Sequence, residues 1–143
     1  MGDKNFLIAG NWKMNKTIAE AKEFADKFKG IMPDNGEGIA IIAPFTQLQA
    51  LKESFKDTEV MIGAQNVHYE QSGAYTGEIS VKMLKEIGVD CCVIGHSERR
   101  QYFNETDEAL NKKLKVLLEN DITPILCVGE PLEVREKNEH MGY

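Results

Sequence analysis

"VIGHSERRQYF", Val93–Phe103, passes without a spacer from an apolar run into imidazole, hydroxyl and charge. The apolar part belongs to Val89–Ile94, short and rich in β-branched residues, which reads as a strand. Helical propensity starts at Ser97, so His96 falls where a strand ends and the free N–H groups of a helix begin. An imidazole placed there is able to donate a hydrogen bond without carrying charge. Glu98 falls in the first helical turn, where a carboxylate is favoured, and Arg99 and Arg100 are free to pair with acids such as Glu105. A histidine at such a junction is placed for chemistry more than for packing.

The same strand-then-helix order recurs along the chain. Apolar runs at Phe6–Ala9, Ile39–Ala43, Val60–Ala64, Val89–Ile94 and Ile122–Val128 lack polar alternation, as strands covered on both faces do. Between them, Thr17 and Glu20 form a capping-box pattern ahead of Ile18, Ala21, Phe24, Ala25 and Phe28 on one helical face. Thr46 with Gln49 repeats that signature before Leu48, Leu51 and Phe55. Ser80 opens a helix over Val81–Ile87 that Gly88 closes; Thr106 precedes Leu110, Leu114 and Leu117, with Asn120 as the stop. Pro131 suits a first helical position ahead of "LEVREKNE". Such alternation demands a parallel sheet, either open and doubly wound or closed as a (β/α)8 barrel. Length by itself favours the open, five-stranded form, so the loops after the strands must decide.

Composition narrows the function classes. The chain has 143 residues, 42% hydrophobic and 28% charged, which is ordinary for one soluble globular domain. A net charge of -6 argues against a nucleic-acid groove. No apolar run approaches a bilayer span and the N-terminus lacks a signal pattern, so the expected address is cytoplasmic, with no membrane partner. Cys91, Cys92 and Cys127 have no C-x-x-C spacing and read as reduced thiols, with neither a disulfide nor a metal site expected. Cys91 and Cys92 should face opposite sides of their strand.

Three other loops carry polar groups. "GNWKMN", Gly10–Asn15, has no glycine-rich phosphate turn; it offers Asn11 and Lys13, which in an extended segment would point the same way. "APFTQLQ", Ala43–Gln49, has no titratable group and reads as structural. "GAQNVHYEQSGAYTGEIS", Gly63–Ser80, is far longer than the two to six residues usual for such a connection, as binding loops often are. Gly73 and Gly77 frame a tight turn that would project Tyr75 and Thr76 toward a partner. His68, without a metal-ligand companion, reads as a loop histidine.

Taken together, "NWKMN", "AQN…GAYTGE", "IGHSERR" and "PILCVGE", in this order and through the whole chain, closely resemble the triosephosphate isomerase family. The resemblance implies an α/β fold, a TIM (β/α)8 barrel, present here as an incomplete barrel of about five β/α units. It implies substrate-binding roles for Asn11 and Lys13, with Lys13 also catalytic, and an electrophilic role for His96. A neutral histidine acting beside a glutamate base is the established description of that family itself, so the helix-dipole reading of His96 adds no independent support. Glu98 and Ser97 match residues that support the site, and Arg99 a structural ion-pair partner. Thr76 matches a residue that enters the neighbouring subunit's site in a homodimer, with Gln65 near that interface. The implied reaction interconverts dihydroxyacetone phosphate and glyceraldehyde 3-phosphate through an enediolate, without metal or organic cofactor.

The same resemblance places the base at the end of a sixth strand and the phosphate grip after strands six to eight, beyond the five strands read here. Strand starts about 29 residues apart would need roughly 230 residues for eight units. The chain is therefore expected to be the N-terminal part of an isomerase and inactive alone. The alternative expectation is a short noncatalytic sugar-phosphate binding or interaction module.

Overall fold

The computed structural model describes residues 7–127. Its elements run β1 (Ile8–Asn11), α1 (Ile18–Lys29), β2 (Ile39–Ala43), α2 (Phe45–Ser54), β3 (Met61–Ala64), α3 (Val81–Ile87), β4 (Cys91–Ile94), α4 (Ser97–Tyr102), α5 (Asp107–Glu119) and β5 (Thr123–Leu126). The strands form one sheet in the order β1-β2-β3-β4-β5, with parallel pairing throughout. That order decides between the two architectures. A doubly wound sheet reverses its strand order at a switch point and carries helices on both faces, whereas here each strand is laid beside its predecessor.

The core agrees. Ile41, Ala43, Ile62, Ala64, Cys92 and Ile94 share one apolar cluster with buried residues of α1, α2, α3 and α5. The alternate strand positions, Ala40, Ile42, Cys91 and Val93, form a second cluster with Met61, Ile125 and Cys127. Cys91 and Cys92 thus face opposite sides, as the period of two requires. All helices of the main cluster lie on one face, and the result is a parallel five-strand half-barrel.

Burial on both faces holds for β2, β3 and β4 but not for the outer strands: β1 is exposed along its length and β5 is partly so. Each outer strand has a neighbour on one side among the described residues, so the apolar run alone did not foretell its exposure.

Three strands begin later than the apolar runs suggest. Val60, Val89 and Ile122 are buried, yet their N–H groups go to Thr58 Oγ1, the Leu84 carbonyl and the Leu117 carbonyl at 3.2, 3.2 and 3.0 Å. Each closes the preceding turn and cannot pair in the ladder. The expected start at Phe6, the end at Val128 and the helix after Pro131 lie outside the described residues.

Helix starts follow the caps in three cases. Thr17 Oγ1 accepts from Glu20 N–H at 3.2 Å while Glu20 Oε1 accepts from Thr17 N–H at 2.9 Å, a complete capping box. Ser80 and Thr106 accept from Met83 and Ala109 N–H, and Gly88 ends α3 in the left-handed region with φ 90°. The Thr46/Gln49 box does not form. α2 starts at Phe45 after Pro44, whose ring sets φ near -59° at the helix entrance, and both Thr46 and Gln49 are exposed.

Candidate functional site

The site is assembled at the C-terminal ends of the strands. Asn11 is the last residue of β1, Gln65 follows β3 directly, and Gly95-His96 follows β4. Gly95 adopts φ 73°, a conformation open to glycine, and that turn makes His96 the N-cap of α4. His96 Nδ1 accepts the Glu98 backbone N–H at 3.1 Å. An accepting Nδ1 carries no proton, so the ring hydrogen sits on Nε2 and is available to a ligand. Glu98 Oε1 lies 3.7 Å from the same Nδ1, but an ion pair there would require the proton that this hydrogen bond excludes.

Lys13 meets α4 from the other side. Its Nζ lies 2.9 Å from Glu98 Oε2, and this hydrogen bond, above the opposing effect of burial, holds the Glu98 carboxyl below its ordinary range. Lys13 does not lie on an extended segment. Its φ is 56°, and its N–H turns back to Asn11 Oδ1 at 2.9 Å. The bonding to β2 continues one residue past Asn11, through the Trp12 N–H to the Ile42 carbonyl at 2.9 Å, and the chain turns at Lys13.

Gln65, placed by resemblance near a subunit interface, has a bond within the chain that its sequence did not signal. Its Nε2 donates to Asn11 Oδ1 at 3.1 Å and to the Lys13 carbonyl at 2.8 Å. Asn11, Lys13, Gln65, His96 and Glu98 are therefore one connected cluster. Ser97 is the exposed first residue of α4, and Thr76 is exposed in the long loop. That loop is braced by His68, whose ring lies 4.5 Å from those of Tyr69 and Tyr75 and whose N–H bonds the Ile79 carbonyl.

Beneath the cluster lies a buried charged network. Glu105 accepts from the Gly95 N–H at 3.1 Å, from Arg99 Nε at 3.4 Å and from Lys113 Nζ, while Lys113 also donates to Asn66 Oδ1 at 2.8 Å. Glu105, Lys113 and Asn66 are all buried. The network ties the turn that presents His96 to the segment after β3. The Arg99–Glu105 pairing was foreseeable from sequence. Lys113 was missed, although its place on the stripe of Leu110, Leu114 and Leu117 was a signal: a charge on the inward face needs a buried partner.

Among the described residues no group of three His, Cys, Asp or Glu side chains is arranged to hold a metal ion, and no helix is long and apolar enough to cross a membrane. Cys91 is pushed up to about 12 and Cys92 and Cys127 are also raised, in each case mainly by burial, so these sulfurs are poor nucleophiles.

The triosephosphate isomerase family model matches residues 6–143. The chain belongs to the triosephosphate isomerase family. It is 53% identical over 130 residues to the triosephosphate isomerase of Alkaliphilus metalliredigens, covering 91% of this chain and 52% of that relative. It is 53% identical over 132 residues to that of Clostridium botulinum strain Loch Maree, covering 92% of this chain and 53% of the relative. Against that of Finegoldia magna the identity is 54% over 135 residues, covering 94% and 53%. The chain thus spans about half the length of the curated triosephosphate isomerases it matches, and its half-barrel fits an incomplete TIM barrel.

Proposed function

We propose that this chain is the N-terminal part of a triosephosphate isomerase domain, here residues 1–143, whose complete form interconverts dihydroxyacetone phosphate and glyceraldehyde 3-phosphate. The observation that carries the reading is the convergence of a ring N–H donor and an ammonium at the strand ends. His96 Nε2 is left free to donate because Nδ1 is committed to Glu98 N–H, and Lys13 Nζ stands on the opposite side of Glu98. In this reading His96 polarises the substrate carbonyl and shuttles a proton at its oxygens. Lys13, positioned by Asn11, Gln65 and Glu98, offsets the negative charge of the phosphorylated substrate and the enediolate. Asn11 contributes a polar contact to the same ligand, and Ser97 and Glu98 support the electrophile.

The carbon base is assigned, by family resemblance, to a glutamate after a sixth strand, and no metal or organic cofactor enters the chemistry. The reading extends to a cytoplasmic homodimer in which the loop bearing Thr76 reaches the neighbouring subunit, with Gln65 close by, and to no nucleic-acid or membrane partner.

The test is a coupled isomerase assay on two proteins: residues 1–143 alone, and the same residues joined to the C-terminal half of the Alkaliphilus metalliredigens relative. The first is expected to show no turnover and the second to turn over substrate, with His96→Gln lowering kcat by roughly 10²–10⁴. Near-normal turnover by the 143 residues alone, or a joined protein that binds a phosphorylated triose without converting it, would overturn the proposal. The latter outcome would favour a noncatalytic sugar-phosphate module.

A further inference from the structure

The segment between β1 and α1 holds two non-glycine residues in the left-handed region, Lys13 with φ 56° and Lys16 with φ 76°. Non-glycine residues persist there when surrounding contacts impose the conformation. At the Lys13 end those contacts are Asn11 Oδ1 on the N–H and Gln65 Nε2 on the carbonyl. At the Lys16 end they come from the first turn of α2, in the stretch Ala43–Gln49 that carries no titratable group. Gln47, in that turn and 1% exposed, directs its side-chain NH2 to the segment between β1 and α1. Its Nε2 donates to the Asn15 carbonyl at 3.3 Å and to the Lys16 carbonyl, and its Oε1 accepts from the Thr46 hydroxyl.

Such an amide is costly to bury without partners, and the neighbouring buried positions of α2, Leu48 and Leu51, are apolar. The two carbonyls can be met by a donor alone, and the reach and two hydrogens of a glutamine side chain satisfy both. Glutamate would set oxygen against oxygen, and methionine would fill the space with no donor. We propose that Gln47 is a positioning residue that clamps the far end of this segment, and so holds Lys13 Nζ against Glu98 at the mouth of the site.

The consequence for catalysis rests on the reading of Lys13 as a substrate-binding residue; the clamp itself does not. Gln47 acts through backbone carbonyls two and three residues beyond Lys13. Its removal frees the segment to leave the left-handed turns, and the lysine then samples solvent in place of its carboxylate.

The experiment is an NMR titration of the Glu98 carboxyl in the 143-residue chain, with Trp12, its single tryptophan, as a fluorescent reporter inside the segment. Lys13→Met is expected to raise the Glu98 midpoint. Gln47→Met and Gln47→Glu are expected to raise it most of the way to that value and to shift Trp12 emission, with the amide resonances of β2, β3 and β4 kept. A Glu98 midpoint unchanged in the folded Gln47 variants overturns the clamp, and so does one unmoved by Lys13→Met. One measurement needs no substitution: the Gln47 side-chain amide hydrogens are expected to exchange slowly in the unaltered chain, and rapid exchange overturns the clamp. Loss of turnover in the joined protein with these signatures intact would count against the isomerase reading and leave the clamp standing.

Discussion

Lys13 Nζ lies 2.9 Å from Glu98 Oε2, although β1 and β4, which present them, are separated in the sheet by β2 and β3. In a flat sheet those strands would stand about 14 Å apart. Either the two long side chains extend fully toward each other or the strand ends converge, and the half-barrel arrangement of the sheet supplies the convergence. Gln65 is bonded to Asn11 across β2 in the same way at shorter range.

The first prediction concerns pH. Glu98 is held below the ordinary carboxylate range by Lys13, so its folded value is the depressed one. The pair is then fully formed above the ordinary range and is lost only as pH falls through the lower folded midpoint. Its contribution to stability is small because both groups are solvated. A carboxyl titration by NMR should place Glu98 below a glutamate in an unstructured peptide; an equal midpoint would show that the pair does not persist in solution.

Disrupting the buried network should be far more damaging. Lys113→Met leaves the Glu105 carboxylate with a partner removed at a site that is almost fully buried. The expected loss is about 3–5 kcal/mol, read from urea unfolding midpoints. The double variant Glu105→Leu, Lys113→Met should recover part of that loss, since the buried carboxylate is gone, while the Gly95 N–H and Arg99 lose their acceptor. A loss of well under about 1 kcal/mol for the single variant would contradict the network's place in the fold.

Gly63 in β3 should not tolerate a methyl group. A Cβ there would come within 2.6 Å of both Cys91 Sγ and Ile42 Cδ1. Gly63→Ala is expected to destabilise by about 1–3 kcal/mol through overpacking between β2 and β4. Adding Cys91→Ala removes one of the clashing atoms and should restore part of the stability. A neutral Gly63→Ala would mean that the inner faces of these strands are less closely packed than described.

Thiol labelling should separate the three cysteines. Cys91 and Cys92 are buried with their thiols held protonated, whereas Cys127 is half-buried. At about pH 8, alkylation of the native chain should modify Cys127 first and reach the other two only with unfolding. Equal labelling of all three in native conditions would refute the assigned burial of β4.

Much of the fold was legible because it is locally encoded. Thr17 with Glu20, Ser80, Gly88, Thr106 and Asn120 mark helix boundaries by satisfying backbone groups within a few residues, and the structure uses each one. The misread element boundaries share one cause. Thr46 and Gln49 have the spacing of a capping box, but Pro44 had already set the helix entrance. Val60, Val89 and Ile122 are apolar enough for strands, yet their N–H groups were taken by preceding turns. Side-chain type was read correctly in both cases; which backbone partner won was not.

By itself, the sequence determined the alternation of strands and helices, the faces they bury, and the residue types at the strand ends, because propensity, capping and hydrophobic period act over a few residues. By their resemblance to one family, the motifs proposed Asn11, Lys13 and His96 as site residues. The tertiary structure alone decided the sequential strand order, the convergence that brings Lys13 to Glu98, and the roles of Gln47, Gln65 and Lys113. Those depend on hydrogen bonds between residues 31 to 54 positions apart and on buried charge meeting buried charge, and no local rule encodes a partner at that distance.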